Sequence, residues 1–118
     1  MALNISAENT VILIHRDGMG DADQVLRHKL LKTYLHLLRE GEVLPALICF
    51  YGGGIKMAVK GSPVLEELRA LEKDGVHMVL CGTCLNHYQL TDRVAVGVVG
   101  GMTDILEAQL RADKVIPL

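Results

Sequence analysis

Five short apolar runs rich in β-branched residues punctuate the chain, and turns and stretches of a different period separate them. They are "VILIH" (residues 11–15), "VLPALICFY" (43–51), "VHMVLC" (76–81), a segment near residues 96–99, and the closing "KVIPL". Nearly continuous hydrophobicity over four to eight residues is the signature of a strand covered on both faces, as in a parallel sheet. Pro45 fits the beginning or edge of the second run, where its missing N–H costs no ladder bond.

Between these runs the apolar spacing becomes helical. From about Asp21, the residues Leu26, Leu30, Tyr34, Leu37 and Leu38 recur at intervals of three and four, with acids at the start, Arg39 near the end and Gly41 beyond it. A brief helix is expected over residues 55–59. Ser62 as N-cap and Pro63 at the first helical position predict another, with Leu65, Leu68 and Leu71 inward until Gly75. A short helix over "CLNHYQL" and a last one carrying Ile105, Leu106 and Leu110 complete the pattern.

Strand and helix therefore alternate, which predicts an α/β domain: a three-layer α/β/α sandwich with a mostly parallel five-stranded sheet and right-handed crossovers. The 118 residues contain no repeat or polar tract, so residues 1–118 are read as one domain. Ligands of open parallel sheets collect beyond the carboxyl ends of the strands. The loops beginning at His15, Tyr51, Cys81 and Gly100 are thus expected to share one edge.

Charge narrows the function. Twelve basic and fourteen acidic residues leave a net charge of −2, and only four aromatic rings of the Phe and Tyr type are present, with no Trp. That composition offers neither the basic surface nor the stacking platforms that nucleic acid requires, and it offers no electrostatic hold on a membrane. The N-terminus lacks a basic segment followed by an apolar core, and the apolar runs are too short to span a bilayer; a cytoplasmic protein is expected. Half the residues are apolar and the mean hydropathy is +0.30, a surplus for which contacts between subunits are a use.

The chemistry concentrates in "CGTC". Cys81 ends a strand and Cys84 falls at the start of the following helix, with Gly82 and Thr83 as the turn between them. Unpaired N–H groups at a helix start favour a thiolate, and positions three apart in a helical turn lie roughly 5 to 6 Å apart, close enough to join as a disulfide. Zinc is the other common use of this spacing, but Cys81, Cys84 and His87 make a set one ligand short, and His77 lies roughly 13 Å back along the strand. No metal and no cofactor are assigned. Cys49, inside the second run, is read as core.

"CGTCLNHYQL", preceded by "GSPVLEELRALEKDGVHMVL" and by "HRDGMGDADQVL", resembles the DsrE/DsrF-like family over nearly the whole chain. Within it the likeness is to the C-terminal domain of YedF-type proteins, associated with selenium metabolism, on the Cys-Gly-Thr-Cys-Leu stretch with Tyr88 and Leu90. The resemblance implies a sheet of order 4-3-2-1-5, a tendency to homo-oligomerise and, in sulfur-relay members, a cysteine that holds sulfur as a persulfide; the matching position is Cys81. YedF-type proteins usually carry an N-terminal TusA-like domain, so the resemblance implies that a relay partner here is a separate protein, such as a TusA-like one, or absent.

The catalytic candidates are Cys81, expected as a thiolate within reach of solvent that takes the sulfur or selenium atom, and Cys84, which resolves or shields it. Gly82, Thr83, Tyr88, His15, Gly53 and Gly54 are candidate substrate-binding residues, the glycines through backbone N–H groups. In the implied strand order His15 stands roughly 10 Å from Cys81, too far to activate it directly. Spacing alone does not separate a sulfurtransferase-like carrier from a dithiol/disulfide redox protein, or from a non-catalytic subunit of an assembly.

Overall fold

The computed structural model describes residues 1–118. Strand β1 (Thr10–Ile14) leads to helix α1 (Gln24–Glu40), β2 (Leu47–Phe50), a 3-10 segment (Gly52–Ala58) and α2 (Leu65–Lys73). Strand β3 (His77–Cys81) runs directly into α3 (Gly82–His87), and β4 (Val98–Gly100), α4 (Met102–Arg111) and β5 (Lys114–Pro117) follow. All four strand pairings are parallel and the order is β4-β3-β2-β1-β5, the expected arrangement. No helix is long and apolar enough to cross a membrane.

The two faces of the sheet are unequally covered. Ile12 and Ile14 of β1, Ile48 and Phe50 of β2, and Met78 and Leu80 of β3 meet Leu31 and Leu35 of α1 and Leu68 and Leu71 of α2 in a cluster of 19 buried residues. The opposite face buries only five residues together: Val11, Leu13, Cys49, Cys81 and Ile105, the last from α4. Alternation along each strand sends neighbouring residues to opposite faces, so the thiols of Cys49 and Cys81 lie on the thin side.

Several boundaries and phases differ from the sequence reading. Helix α1 begins three residues later than expected, because Asp23 caps it by accepting the Leu26 N–H at 3.0 Å. Its buried residues are Leu31 and Leu35, whereas Leu26, Leu30 and Leu37 are exposed. Apolar residues on more than one side of this helix leave its phase to tertiary packing. Ser62 and Pro63 form a turn instead of the cap and first residue of α2: the Ser62 hydroxyl accepts the Val64 N–H at 3.2 Å, and the helix starts at Leu65. Helix α3 already includes Gly82 and Thr83, with Cys81 at its cap position, so those two residues are a first helical turn, not a linker. In α4, Ile105 is buried while Leu106 and Leu110 face outward.

Candidate functional site

One residue beyond the paired row Ile14, Phe50 and Leu80 stand His15, Tyr51 and Cys81, with Gly100 paired to Cys81 on the other side. The carboxyl ends of four strands thus share an edge, as parallel pairing requires. His15 and Tyr51 stack with ring centroids 5.9 Å apart and planes inclined by 24°. Tyr51 also packs against the cluster that holds Cys81, so β2 and its tyrosine separate His15 from the thiol.

All three cysteines are free, and they differ in access. Cys49 is wholly enclosed, and burial pushes its thiol from 9.0 up to about 11, the behaviour of packed core. Cys81 is also enclosed, with 1% of its surface exposed. That differs from the expectation of a thiolate in reach of solvent: its side chain lies on the thin face, in the cluster that also holds Cys49 and Ile105. Cys84 is half-buried, touches both apolar clusters, and is the thiol of the pair with an exposed part.

Cys84 accepts a hydrogen bond from the Gly52 backbone N–H, with 3.1 Å between nitrogen and sulfur. Burial raises the Cys84 thiol above its usual range and the Cys81 thiol beside it raises it further, while the Gly52 N–H acts in the opposite direction. The thiolate expected from a helix start is therefore not the resting form of Cys84. Helix α3 has only six residues, too few aligned peptide dipoles to overcome desolvation.

The remaining candidates sit around this pair. Gly82 is half-buried, and a Cβ on it would stand 3.2 Å from Cγ1 of Val99, so β4 closes over the start of α3. Thr83 is exposed. Tyr88 lies one turn after Cys84 with 39% of its surface exposed; Lys56 Nζ stands 4.5 Å above its ring and His87 meets it edge-on at 4.9 Å. Gly53 is half-exposed, but Gly54 is buried with its N–H given to the Tyr51 carbonyl. A Cβ on Gly54 would collide with the carbonyl of Ile14, so this glycine packs the turn against the end of β1.

The glycine run 52–54 was readable as a source of N–H groups for a small anion, but not the contact of the Gly52 N–H with a sulfur 32 residues away, nor Tyr51 as the wall between His15 and the thiol. Arg16 and Asp17 turn away to fasten the loop to α1: Arg27 pairs with Asp17 at 2.8 Å, and Arg16 donates to the Gly20 carbonyl at 3.0 Å. Although burial tends to raise it, the Asp17 carboxyl ends below its usual range because Gln24 and Arg27 bind the charged form. A cavity of about 170 Å³ opens between α1 and α2, lined by Leu35, His36, Arg39, Glu66, Glu67 and Ala70, with no residue from the strand-end edge. No three His, Cys, Asp or Glu side chains converge as a metal site.

The DsrE/DsrF-like family profile matches residues 2–118. The chain belongs to this family. Solved structures agree on the fold. The ychN protein from E. coli shares 18% identity over 94% of this chain and 99% of its own, with a TM-score of 0.70. MTH1491 from Methanobacterium thermoautotrophicum, a protein of unknown function, shares 19% over the same fractions with a TM-score of 0.71. BT1422 from Bacteroides thetaiotaomicron, also of unknown function, shares 14% over 93% of this chain and 95% of its own, with a TM-score of 0.66. No curated protein matches the sequence.

Proposed function

We propose that this member of the DsrE/DsrF-like family relays sulfur, or its heavier congener selenium, as a persulfide on the Cys81–Cys84 pair. The observation that carries this reading is the layered pair itself: a half-exposed thiol held by a backbone amide at 3.1 Å, and an enclosed thiol beside it. Cys84 is the outer thiol, where a donor arrives. Its thiolate attacks the terminal sulfur of a donor persulfide; the donor's S–S bond breaks, its thiolate leaves, and Cys84 carries the –S–SH group. Attack by the Cys81 thiolate on that terminal sulfur then forms a persulfide on Cys81 and returns Cys84 as thiolate. The step is redox-neutral and shelters a reactive atom from water and oxidants.

Delivery is the reverse sequence, ending on an acceptor thiol, for which a separate TusA-like protein is the proposed partner. A reducing compartment, the cytoplasm, keeps such thiols available. Self-association is proposed as well, since Val98 and Val99 of β4 and Met102, Leu106 and Leu110 of α4 expose apolar side chains; sedimentation of the full chain above the mass of one copy is the expected result.

Intact-mass measurement after treatment with a small persulfide donor tests the relay. Wild type is expected to gain one sulfur, removable by reductant. Cys84→Ser is expected to abolish the gain, whereas Cys81→Ser loads but loses its sulfur rapidly to any added thiol. No gain in wild type contradicts the relay. A second reading, a dithiol/disulfide switch, draws on the closeness of the same two thiols; a loss of two hydrogens under mild oxidant, without sulfur uptake, selects it.

A further inference from the structure

Gly52 presents its amide to the one sulfur of the pair that meets solvent, and the turn that does so is fastened at both ends. The Tyr51 N–H is held by the Ile14 carbonyl at 3.2 Å and the Gly54 N–H by the Tyr51 carbonyl at 3.0 Å. Gly54 packs so closely on the Ile14 carbonyl that no other residue fits there. Gly52 itself adopts φ = +56°, a left-handed conformation that side chains disfavour, and a Cβ on it would stand 3.1 Å from the His15 carbonyl oxygen. The left-handed turn aims the N–H across to α3. It meets Cys84 Sγ at 3.1 Å, within the range of an N–H to sulfur bond.

We infer that the Gly52 N–H is a catalytic group of the transfer reaction, holding the negative charge that develops on Cys84 Sγ whenever that sulfur acts as nucleophile or leaves. The inference rests on the relay reading for the transfer step. When the Cys81 thiolate, or an acceptor thiolate, takes the terminal sulfur from Cys84, the Sγ–S bond breaks and its electron pair stays on Sγ; the proton on the transferred sulfur travels with it. A donor fixed in place before the bond breaks needs no reorganisation as the charge appears. The surrounding apolar side chains strengthen that single bond, since a charge accepted from few partners depends on each of them.

Replacing the Tyr51–Gly52 amide by an ester, through Gly52→glycolate, removes the N–H without adding an atom that could clash. The same change at Gly61, an exposed turn residue outside the site whose N–H is given to no carbonyl, is the control. Two readouts separate the claims. The pH midpoint of iodoacetamide alkylation at Cys84, located by fragmentation, needs no sulfur donor; it is expected to rise by about one unit in the Gly52 ester and to stay put in the Gly61 ester. Release of loaded sulfur to an acceptor thiol is expected to slow by about ten-fold in the Gly52 ester alone. A shifted midpoint in a chain that never loads sulfur would discard the relay and keep the thiolate-binding amide. Identical midpoints and release rates in the two esters overturn the inference. If the ester chain fails to fold, Gly52→Ala against Gly61→Ala applies the same criterion: both glycines are left-handed, but only at Gly52 does a Cβ meet a carbonyl oxygen, at 3.1 Å, whereas at Gly61 it meets open space.

Discussion

The two faces of the sheet divide the labour of this chain. Under α1 and α2 lie 19 residues in a continuous apolar cluster; under α4 lie five, two of them cysteines. A thick core tolerates no chemistry, since every side chain is needed for packing and any charge would be stranded. The thin side leaves β4 and the outer stripe of α4 exposed, and it lets the turn after β3 place one thiol at the surface with another behind it. Most of the packing lies on one side of the five strands and Cys81 on the other, with Cys84 touching both at the edge.

Truncation at the centre of the thick face should give the largest effect. Phe50→Ala removes a fully buried ring and is expected to cost about 3 to 5 kcal/mol in chemical denaturation. Ile105→Ala, on the thin face with a single helix above it, is expected to cost about 2 kcal/mol, since the neighbours there can partly collapse into the space. Equal losses from the two would erase the distinction.

Alkali should act next, through Cys49. Its folded pKa, about 11, lies above the ordinary 9.0, so above pH 9 the unfolded chain releases a proton that the folded chain keeps. The stability it contributes is complete below pH 9 and is lost as pH rises from 9 to 11, a decline on the order of 2 kcal/mol. Denaturation across that window should show the decline, and Cys49→Ala should flatten it while leaving sulfur loading intact. Cys84, raised in the same direction, should load sulfur faster as pH climbs past the usual thiol range.

The smallest effect is expected at the rim. Lys56 stands over the Tyr88 ring while exposed, and contacts of that kind are worth about 0.5 to 1 kcal/mol. Lys56→Gln should slow loading by anionic donors such as polysulfide by about two- to five-fold, with neutral donors unaffected and stability within about 0.5 kcal/mol. Similar losses with charged and neutral donors would reassign Lys56 to packing.

Much of this division was readable in the chain. Strands covered on both sides announce themselves as unbroken apolar runs, and residues 11–15, 76–81 and the CGTC that follows predicted the sheet and placed the thiols at its carboxyl edge. The family likeness supplied the strand order, which periodicity alone does not. Depth was not readable. A cysteine ending a strand has an equal claim to either face and to either side of the solvent boundary; only the register of β3 between β2 and β4 puts Cys81 under cover. Nor does local spacing reveal that residue 52 meets residue 84, because that contact depends on how two strand ends are stacked. Helix α1 shows the same limit: Leu26, Leu30, Leu31, Leu35 and Leu37 permit several phases, and α2 selects the one with Leu31 and Leu35 inward.

Time-resolved alkylation of the native chain at pH 8, read at each cysteine by mass spectrometry, tests the layering most directly. The expected order is Cys84 first, Cys81 only as the edge opens, and Cys49 no faster than global unfolding. Labelling of Cys49 together with Cys84, or protection of Cys84 at the level of Cys49, would contradict the assignment of an outer and an inner thiol to one edge of the sheet.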